Sequence, residues 1–232
     1  FWSNEGVDHV NGGFLGQIDN LGNKNETASK GAVLNTRILW SFSAAYRTTK
    51  NSKYKEIADK AYQYIITHFW DVVNGGLFWE LDYLGNPINT RKQAYAQGFG
   101  IYAFSEYYRA TNHSESLTYA KKLYFILENH FYDKEQVGYI EALKIDWSPI
   151  DDMRLSNKDL NVPKSMNTHL HILEPYTNLY RVWQVESLKN GISNLIHIFQ
   201  EKIIDHKTGH FGLFFKMDWS KLSTAISFGH DI

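Results

Sequence analysis

The densest group of side chains that could do chemistry lies in residues 165–174, which read Ser-Met-Asn-Thr-His-Leu-His-Ile-Leu-Glu. On a helix, His171 shares one face with Asn167, four residues earlier, and with Glu174, three residues later. His169 lies about 200° away around the helix, so the two rings cannot easily bind one ion, and no metal is predicted. The shared face predicts a hydrogen-bonded site in which Glu174 fixes the tautomer of His171 or helps to hold it charged. A buried structural network is the alternative.

Three more residues are unusual at their predicted positions. Arg37 lies on an otherwise apolar helical stripe, where an unpaired guanidinium is costly to bury. It either bonds a helix carboxylate or donates to a sugar hydroxyl or an oxyanion. Tyr95 shares a face with Phe99 and is either a core residue or a ligand contact. His230 follows Gly229 where another helix should begin. A helix N-terminus favours neutral histidine, which suits a general base, although a terminal histidine is more often merely solvated.

These residues belong to a repeated unit of the chain. An aspartate followed by glycine and a short extended segment recurs at Asp8, Asp71, Asp133 and Asp205, with spacings of 63, 62 and 72 residues. Pairs of segments with helical period separate these turns: residues 29–49 and 53–69, 92–111 and 114–130, and 165–183 and 187–203. Each unit is therefore predicted to be a turn followed by a hairpin of two helices.

Repeated αα-hairpins stack into a solenoid or close into a toroid. We expect an all-α fold of about three and a half hairpins with short β-turn segments between the pairs, which is either an open arc in its own right or an incomplete ring. A closed ring of six units would need about 390 residues, whereas the chain has 232. We therefore expect residues 1–232 to form a single toroid domain that is truncated at both ends, mainly at the C-terminus. The first helix of each pair should line the cavity, because it carries polar residues among aromatic ones.

The composition excludes several classes of protein. Lys and Arg number 24 against 25 Asp and Glu, and the net charge of −1 lacks the basic excess of a nucleic-acid binder or of a protein held on anionic membranes. The absence of cysteine excludes disulfides, thiolate metal sites and cysteine catalysis. No apolar run reaches the ~18 residues of a membrane span, and we expect a cytoplasmic protein. The aromatic share of 16% suits a ring-lined sugar cavity, although most single rings should be core.

Several stretches resemble the N-acylglucosamine 2-epimerase family, in the family's order and along essentially the whole chain. They are Val7-Asp8 with Gly12-Gly13-Phe14, residues 34–42, 93–97, 138–142 and 166–174, and Gly229-His230-Asp231-Ile232. The resemblance is strongest to the branch that acts on cellobiose-type disaccharides. It implies an (α/α)6 barrel and reversible epimerisation at C2 of a reducing-end sugar. It also implies two histidines as the acid/base pair, with no redox cofactor and no metal.

The same resemblance implies roles for individual residues. His230 matches the first catalytic histidine, and the second belongs to a part of the family that this chain lacks. Glu174 is added to the binding residues because it shares a face with His171. The predicted substrate-binding residues are Arg37, Tyr95, Asn167, His171, Glu174 and Asp159.

The expected activity is that of an isomerase. It opens the reducing-end glucose of a β-1,4-linked disaccharide, removes the C2 proton through a histidine, and returns a proton to the other face of a cis-enediol. The chain alone is expected to be inactive and to self-associate through the open side of the ring. The alternatives are an N-acetylglucosamine 2-epimerase or other monosaccharide isomerase, a glycoside hydrolase or lyase, and a non-catalytic fragment that binds a carbohydrate or a partner. A hydrolase needs two facing carboxylates, and the adjacent Asp151 and Asp152 are poor candidates.

Overall fold

The computed structural model of the chain describes residues 1–157 and 159–224. Within these residues the structure is mostly helical, and six α-helices form three hairpins. The helices are α1 (Ala32–Thr49), α2 (Ser52–Tyr64), α3 (Ala94–Thr111), α4 (Ser114–Ile126), α5 (Met166–Tyr180) and α6 (Glu186–Ile198). Short strands lie in the segments outside the hairpins: β1 (Gln17–Ile18), β2 (Lys24–Asn25), β3 (Lys30–Gly31), β4 (Glu80–Leu81), β5 (Pro87–Asn89), β6 (Lys92–Gln93), β7 (Ala142–Leu143), β8 (Lys164–Ser165) and β9 (Phe214–Phe215).

The helices form two layers. The first helices of the hairpins, α1, α3 and α5, pack side by side, and each second helix packs against the first helix of its own hairpin. The inner and outer layers are those of an (α/α)6 barrel, of which these residues form an arc. The predicted fold is therefore confirmed. The start of the fourth hairpin, which the sequence also predicted, lies outside the described residues.

Antiparallel strand pairs connect each turn to the next unit. β3 pairs with β4, β6 with β7, and β8 with β9, so the strand before each inner helix contacts the segment that follows the next outer helix. This pairing places the N-terminal end of every inner helix beside the turn of the following unit. None of the described helices is long and apolar enough to cross a membrane.

Each outer helix ends in one π-helical turn, where the sequence predicted an unbroken helix. The turns are Ile65–Phe69, Leu127–Phe131 and Phe199–Ile203. In the first of them, the amide of Trp70 donates to the carbonyl of Ile65 at 3.1 Å, which is the bond of a π-turn. The wider turn leaves the apolar pattern intact while carrying Phe69 into the core, where it is fully buried. Periodicity alone therefore does not reveal it.

A buried lysine anchors the turn that precedes each inner helix. These lysines stand two residues before α1, α3 and α5, and each ammonium also donates to a carbonyl of the turn. The pairs are Lys30–Asp8 at 2.8 Å, Lys92–Asp71 at 2.9 Å and Lys164–Asp133 at 2.8 Å. Burial raises the pKa of the three carboxyls, but backbone amides and the lysines outweigh it and hold that pKa below its usual value. The three carboxylates thus stay charged in the interior, and the pairs fix where each inner helix begins.

The C-terminal ends of the inner helices are joined by one buried carboxylate. Glu106 of α3 is fully buried and accepts a hydrogen bond from Arg47 Nε of α1 at 2.6 Å. Arg109 donates both to Glu106 and, at 2.9 Å, to Asn178 of α5. This network holds the inner layer together at one end, while the N-terminal halves of the helices surround a cavity.

Candidate active site

The three inner helices present equivalent positions to one cavity, because each begins two residues after its buried lysine. Residues that are separated by four and then by three positions lie on one stripe of a helix. Counted from the lysine, the third residues are Val33, Tyr95 and Asn167, the seventh are Arg37, Phe99 and His171, and the tenth are Trp40, Tyr102 and Glu174. The repeat therefore places the predicted site residues on neighbouring helices at matching heights.

Arg37 connects the first two inner helices. Its Nη2 donates to the Tyr95 hydroxyl oxygen at 3.3 Å, and its guanidinium lies 4.7 Å from the centroid of the Phe99 ring. In the described part of the chain its contacts are to these two rings and not to a carboxylate. Burial raises the pKa of the Tyr95 hydroxyl, and the charge of Arg37 opposes part of that rise. A cation beside a neutral phenol can stabilise negative charge on a bound oxygen.

His171 faces this cavity from α5. Its Nδ1 lies 2.7 Å from Glu174 Oε2, so Nδ1 carries a hydrogen and donates it to the carboxylate. The ring packs edge-on against Tyr95 at 4.9 Å and tilted against Phe99 at 5.0 Å. These contacts fix the tautomer and the orientation of the ring. Within the described residues Nε2 has no hydrogen-bond partner, and it is therefore available to a ligand.

His169 belongs to the protein interior instead. It is fully buried, accepts from the Tyr139 amide at Nε2 (2.9 Å), and donates from Nδ1 to the Ser165 carbonyl oxygen at 2.7 Å. Gln97 makes the equivalent link on α3, where its Oε1 accepts from the Leu77 amide at 2.8 Å. Burial lowers the pKa of His169 to about 4, so the ring is neutral at pH 7. The two histidines therefore have separate sets of partners.

The cavity has a volume of about 260 Å³. The rings of Trp40 and Tyr102 lie 5.1 Å apart along it and provide an aromatic surface. Charged and polar groups complete the lining, which consists of Arg37, Trp40, Ser41, Phe99, Tyr102, His171 and Glu174. Such a mixture of rings and hydrogen-bonding groups suits a sugar, whose C–H faces stack on rings while its hydroxyls bond polar groups.

A second cavity, of about 170 Å³, lies at the N-terminal end of α5. Asn167 and Asp159 line it, and the Asp159 carboxylate accepts from the Ser156 amide at 2.9 Å and from its hydroxyl at 2.7 Å. Asn167 is also close enough to Tyr95 to help lower the pKa of its hydroxyl. Asn167 therefore lies between the two cavities, and Asp159 is in the second one.

The structure brings together Arg37, Tyr95, His171 and Glu174, with Asn167 beside Tyr95. The predicted base, His230, lies outside the described residues. Within residues 1–157 and 159–224, no group of three or more His, Asp or Glu side chains could hold a metal ion.

Three further side chains line the two cavities but were not predicted from the sequence as site residues. Trp40 and Tyr102 lie on the same stripes as Arg37 and Tyr95, and the spacing alone could have identified them. Glu141, which lines the second cavity, stands in a short extended segment. Its only signal in the sequence is that an acidic residue occupies the position that Gly16, Trp79 and Leu213 hold in the other turns.

The chain is similar in sequence and in fold to known proteins. The family model for N-acylglucosamine 2-epimerase (GlcNAc 2-epimerase) matches residues 13–227. Two curated relatives named cellobiose 2-epimerase are similar over all 232 residues, at 51% identity for the protein of Bacteroides fragilis and 41% for that of Dictyoglomus turgidum. The solved structure of cellobiose 2-epimerase from Bacillus thermoamylovorans has a TM-score of 0.94 at 41% identity, and the match covers 99% of this chain. The chain spans 59% of the length of each of these three proteins.

Proposed function

Because the chain belongs to the N-acylglucosamine 2-epimerase family, we propose that it supplies the sugar-binding groups and one catalytic base of a disaccharide 2-epimerase. The proposed reaction inverts C2 of the reducing-end glucose in a β-1,4-linked disaccharide of the cellobiose type. The names of the two curated relatives, at 51% and 41% identity, support this substrate class.

The observation that carries the proposal is the cluster of Arg37, His171 and Glu174 in one aromatic-lined cavity, with Tyr95 hydrogen-bonded to Arg37 and packed against the His171 ring. Epimerisation through an enediol puts negative charge on sugar oxygens next to C2, and preorganised donors stabilise such charge. Arg37 offers a permanent cation and Tyr95 a neutral hydroxyl, while the hydrogen bond from His171 Nδ1 to Glu174 leaves Nε2 of that ring for the sugar. Among the described residues, Glu174 is the one carboxylate that lines this cavity, and it is bonded to His171, whereas a glycoside hydrolase needs two facing carboxylates.

The proposed steps begin with opening of the reducing-end ring to the free aldehyde. A base then removes the C2 proton, the C–H electron pair forms a C1=C2 double bond, and the carbonyl electrons move onto O1. The resulting cis-enediolate is stabilised by Arg37 and its neighbours. Protonation of C2 from the opposite face, with return of the electrons from O1, gives the epimer.

Histidine suits both proton transfers, because its ordinary pKa of about 6.5 lies near neutral pH. His230, which matches a catalytic histidine of the family, is the proposed base on one face. The acid on the other face is expected to be a second histidine, as the family resemblance implies. We assign no proton transfer to His169, because both of its nitrogens form hydrogen bonds inside the protein.

Incubation of the full-length gene product with cellobiose tests this function, with the products identified by NMR. We expect the disaccharide whose reducing end has become mannose, at constant total disaccharide. Release of free glucose would identify a hydrolase, and unchanged cellobiose a non-catalytic binder. Turnover of N-acetylglucosamine without turnover of cellobiose would identify the monosaccharide branch, and each of these three results would contradict the proposal.

A further inference from the structure

Glu141 carries a side chain that its place in the fold does not require. It stands eight residues after the aspartate of its turn, where the other three turns have Gly16, Trp79 and Leu213. Like Trp79 and Leu213, Glu141 uses its backbone carbonyl to accept the first amide of an inner helix. That shared role needs no acid, and an acid that is 3% exposed is unfavourable unless it is satisfied. The carboxyl therefore calls for a separate explanation.

The carboxyl is satisfied on only one of its two oxygens. Oε2 accepts from Thr168 Oγ1 of α5 at 2.6 Å. Oε1 is buried and has no hydrogen-bond partner in the described part of the chain. Because buried polar atoms are almost always paired, an orphaned oxygen of a residue that lines a cavity points to a partner that enters the cavity.

The charges around the second cavity favour an uncharged partner. Burial is the main cause that raises the pKa of Glu141 to about 8, the charge of Asp159 adds to the rise, and the hydrogen bond from Thr168 and the nearby polar groups of Ser165 only partly offset it. Glu141 is therefore mainly protonated at pH 7. Since Oε2 accepts from Thr168, the proton is available on Oε1 as a donor. Arg154 lines the same cavity, but its guanidinium is bonded to Asp152 at 2.8 Å.

We propose that Glu141 is a further substrate-binding residue, whose Oε1 hydrogen-bonds an oxygen of an uncharged sugar held at Asn167. Asn167 lines the same cavity as Glu141 and also lies beside Tyr95 of the candidate active site. A sugar bound by Asn167 is therefore next to both cavities. The inference rests on the proposed function, because it takes the ligand to be the sugar of that reaction.

Two substitutions of Glu141 separate hydrogen bonding from packing. Glu141→Gln keeps a donor of the same shape, whereas Glu141→Leu keeps the bulk and removes the hydrogen bond. In the full-length gene product acting on cellobiose, we expect Glu141→Gln to leave KM near the wild-type value. Glu141→Leu should raise KM about 10-fold, with a smaller change in kcat.

Glu128→Gln is the matched control. Glu128 accepts from the hydroxyls of Tyr139 and Tyr176 at 2.6 Å each and lines neither cavity, so its substitution should leave KM unchanged. A folded Glu141→Leu variant with wild-type KM would overturn the inference, as would a rise in KM that Glu128→Gln reproduces.

A crystal structure of the wild-type protein soaked in cellobiose supplies a measurement that needs neither a variant nor turnover. A sugar oxygen within about 3.2 Å of Glu141 Oε1 is the expected result. If the protein epimerises cellobiose and the bound sugar stays farther from Oε1, the inference about Glu141 fails while the proposed function stands. If the wild-type protein neither epimerises nor binds cellobiose, the proposed function fails and the inference fails with it.

Discussion

His169 and His171 are two residues apart on one helix, yet they belong to two regions that differ in kind. His169 is in the wall, by which we mean the contact between the turns and the inner helices, formed by the three buried Lys–Asp pairs, Gln97 and His169. Both of its nitrogens have partners within the protein. His171 is in the cavity, and within residues 1–157 and 159–224 only its Nδ1 has a hydrogen-bond partner. Polar groups of the wall are thus paired internally, while those of the cavity keep a free position for a ligand.

The two histidines show that residue type alone does not decide the role of a polar side chain. A wall residue should change stability when it is substituted and should affect turnover only through the fold. A cavity residue should change turnover and leave stability nearly unaltered. Four predictions test this difference between wall and cavity residues.

The largest effect is expected at Lys92 in the wall. It is fully buried, and Lys92→Met leaves the Asp71 carboxylate buried without its partner. We expect the free energy of unfolding to fall by about 3–5 kcal/mol, measured by urea denaturation. Lys221→Met is the matched control, because Lys221 pairs with Asp205 at 3.0 Å with its side chain 43% exposed, and it should cost about 1 kcal/mol or less. Equal losses of unfolding free energy in the two variants would contradict the special role of the buried pair in the wall.

In the cavity, Arg37→Ala in the full-length gene product should lower kcat on cellobiose by about 10²- to 10³-fold, because a charged donor to the developing oxyanion is lost. The free energy of unfolding should change by no more than about 0.5 kcal/mol, because Arg37 is exposed. Arg181→Ala, at an exposed arginine after α5, is the control and should keep its activity. Near-normal turnover of Arg37→Ala would remove Arg37 from the site.

A smaller effect is expected at His169. His169→Leu leaves the buried Tyr139 amide unpaired and should destabilise the protein by about 1–3 kcal/mol. His169→Gln should recover most of that loss, because Gln97 bonds the Leu77 amide from the same position of α3. Thermal unfolding of the two variants gives the comparison. If Gln is as damaging as Leu, the equivalence of the wall positions is wrong.

The most gradual effect is the pH dependence of stability, which is small for each pH unit. The pKa of His169 is about 4 in the fold, below the ordinary 6.5, so the unfolded chain takes up a proton that the folded chain does not. Stability should therefore fall as pH drops from about 6.5 towards about 4, by at most about 1.4 kcal/mol per pH unit from this group. The stability difference between wild type and His169→Gln should shift against the wild type over that window. A difference that is independent of pH would show that His169 does not titrate as assigned.

Much of the fold could be predicted from the sequence because the pattern of the turns and the apolar helical period are strong and repeat three times. The predicted segments 92–111 and 165–183 nearly coincide with α3 and α5. The burial of the lysines in the Lys–Asp pairs was not predicted, because a lysine before a helix is usually exposed to solvent. Here its burial depends on a turn more than 20 residues away in the sequence. The π-helical turns were missed because one extra residue per turn barely changes the apolar pattern.

The candidate site was predictable where helix geometry alone decides the outcome. The spacing of Asn167, His171 and Glu174 placed them on one face and His169 on another, and the structure has the His171–Glu174 hydrogen bond at 2.7 Å. The proximity of Arg37 to Tyr95, 58 residues apart, needed the stacking of two hairpins. The position of Glu141 needed strand pairing and loop packing, which no local pattern encodes.

The most direct test of the separation between wall and cavity uses one substitution at both histidines. The rate of deuterium incorporation at C2 of cellobiose in D2O is measured for His169→Gln and His171→Gln in the full-length gene product. We expect a rate close to wild type for His169→Gln and a rate at least about 10-fold lower for His171→Gln, since His171 lines the cavity and His169 does not. Equal rates in the two variants, or a wild-type rate for His171→Gln, would contradict this separation.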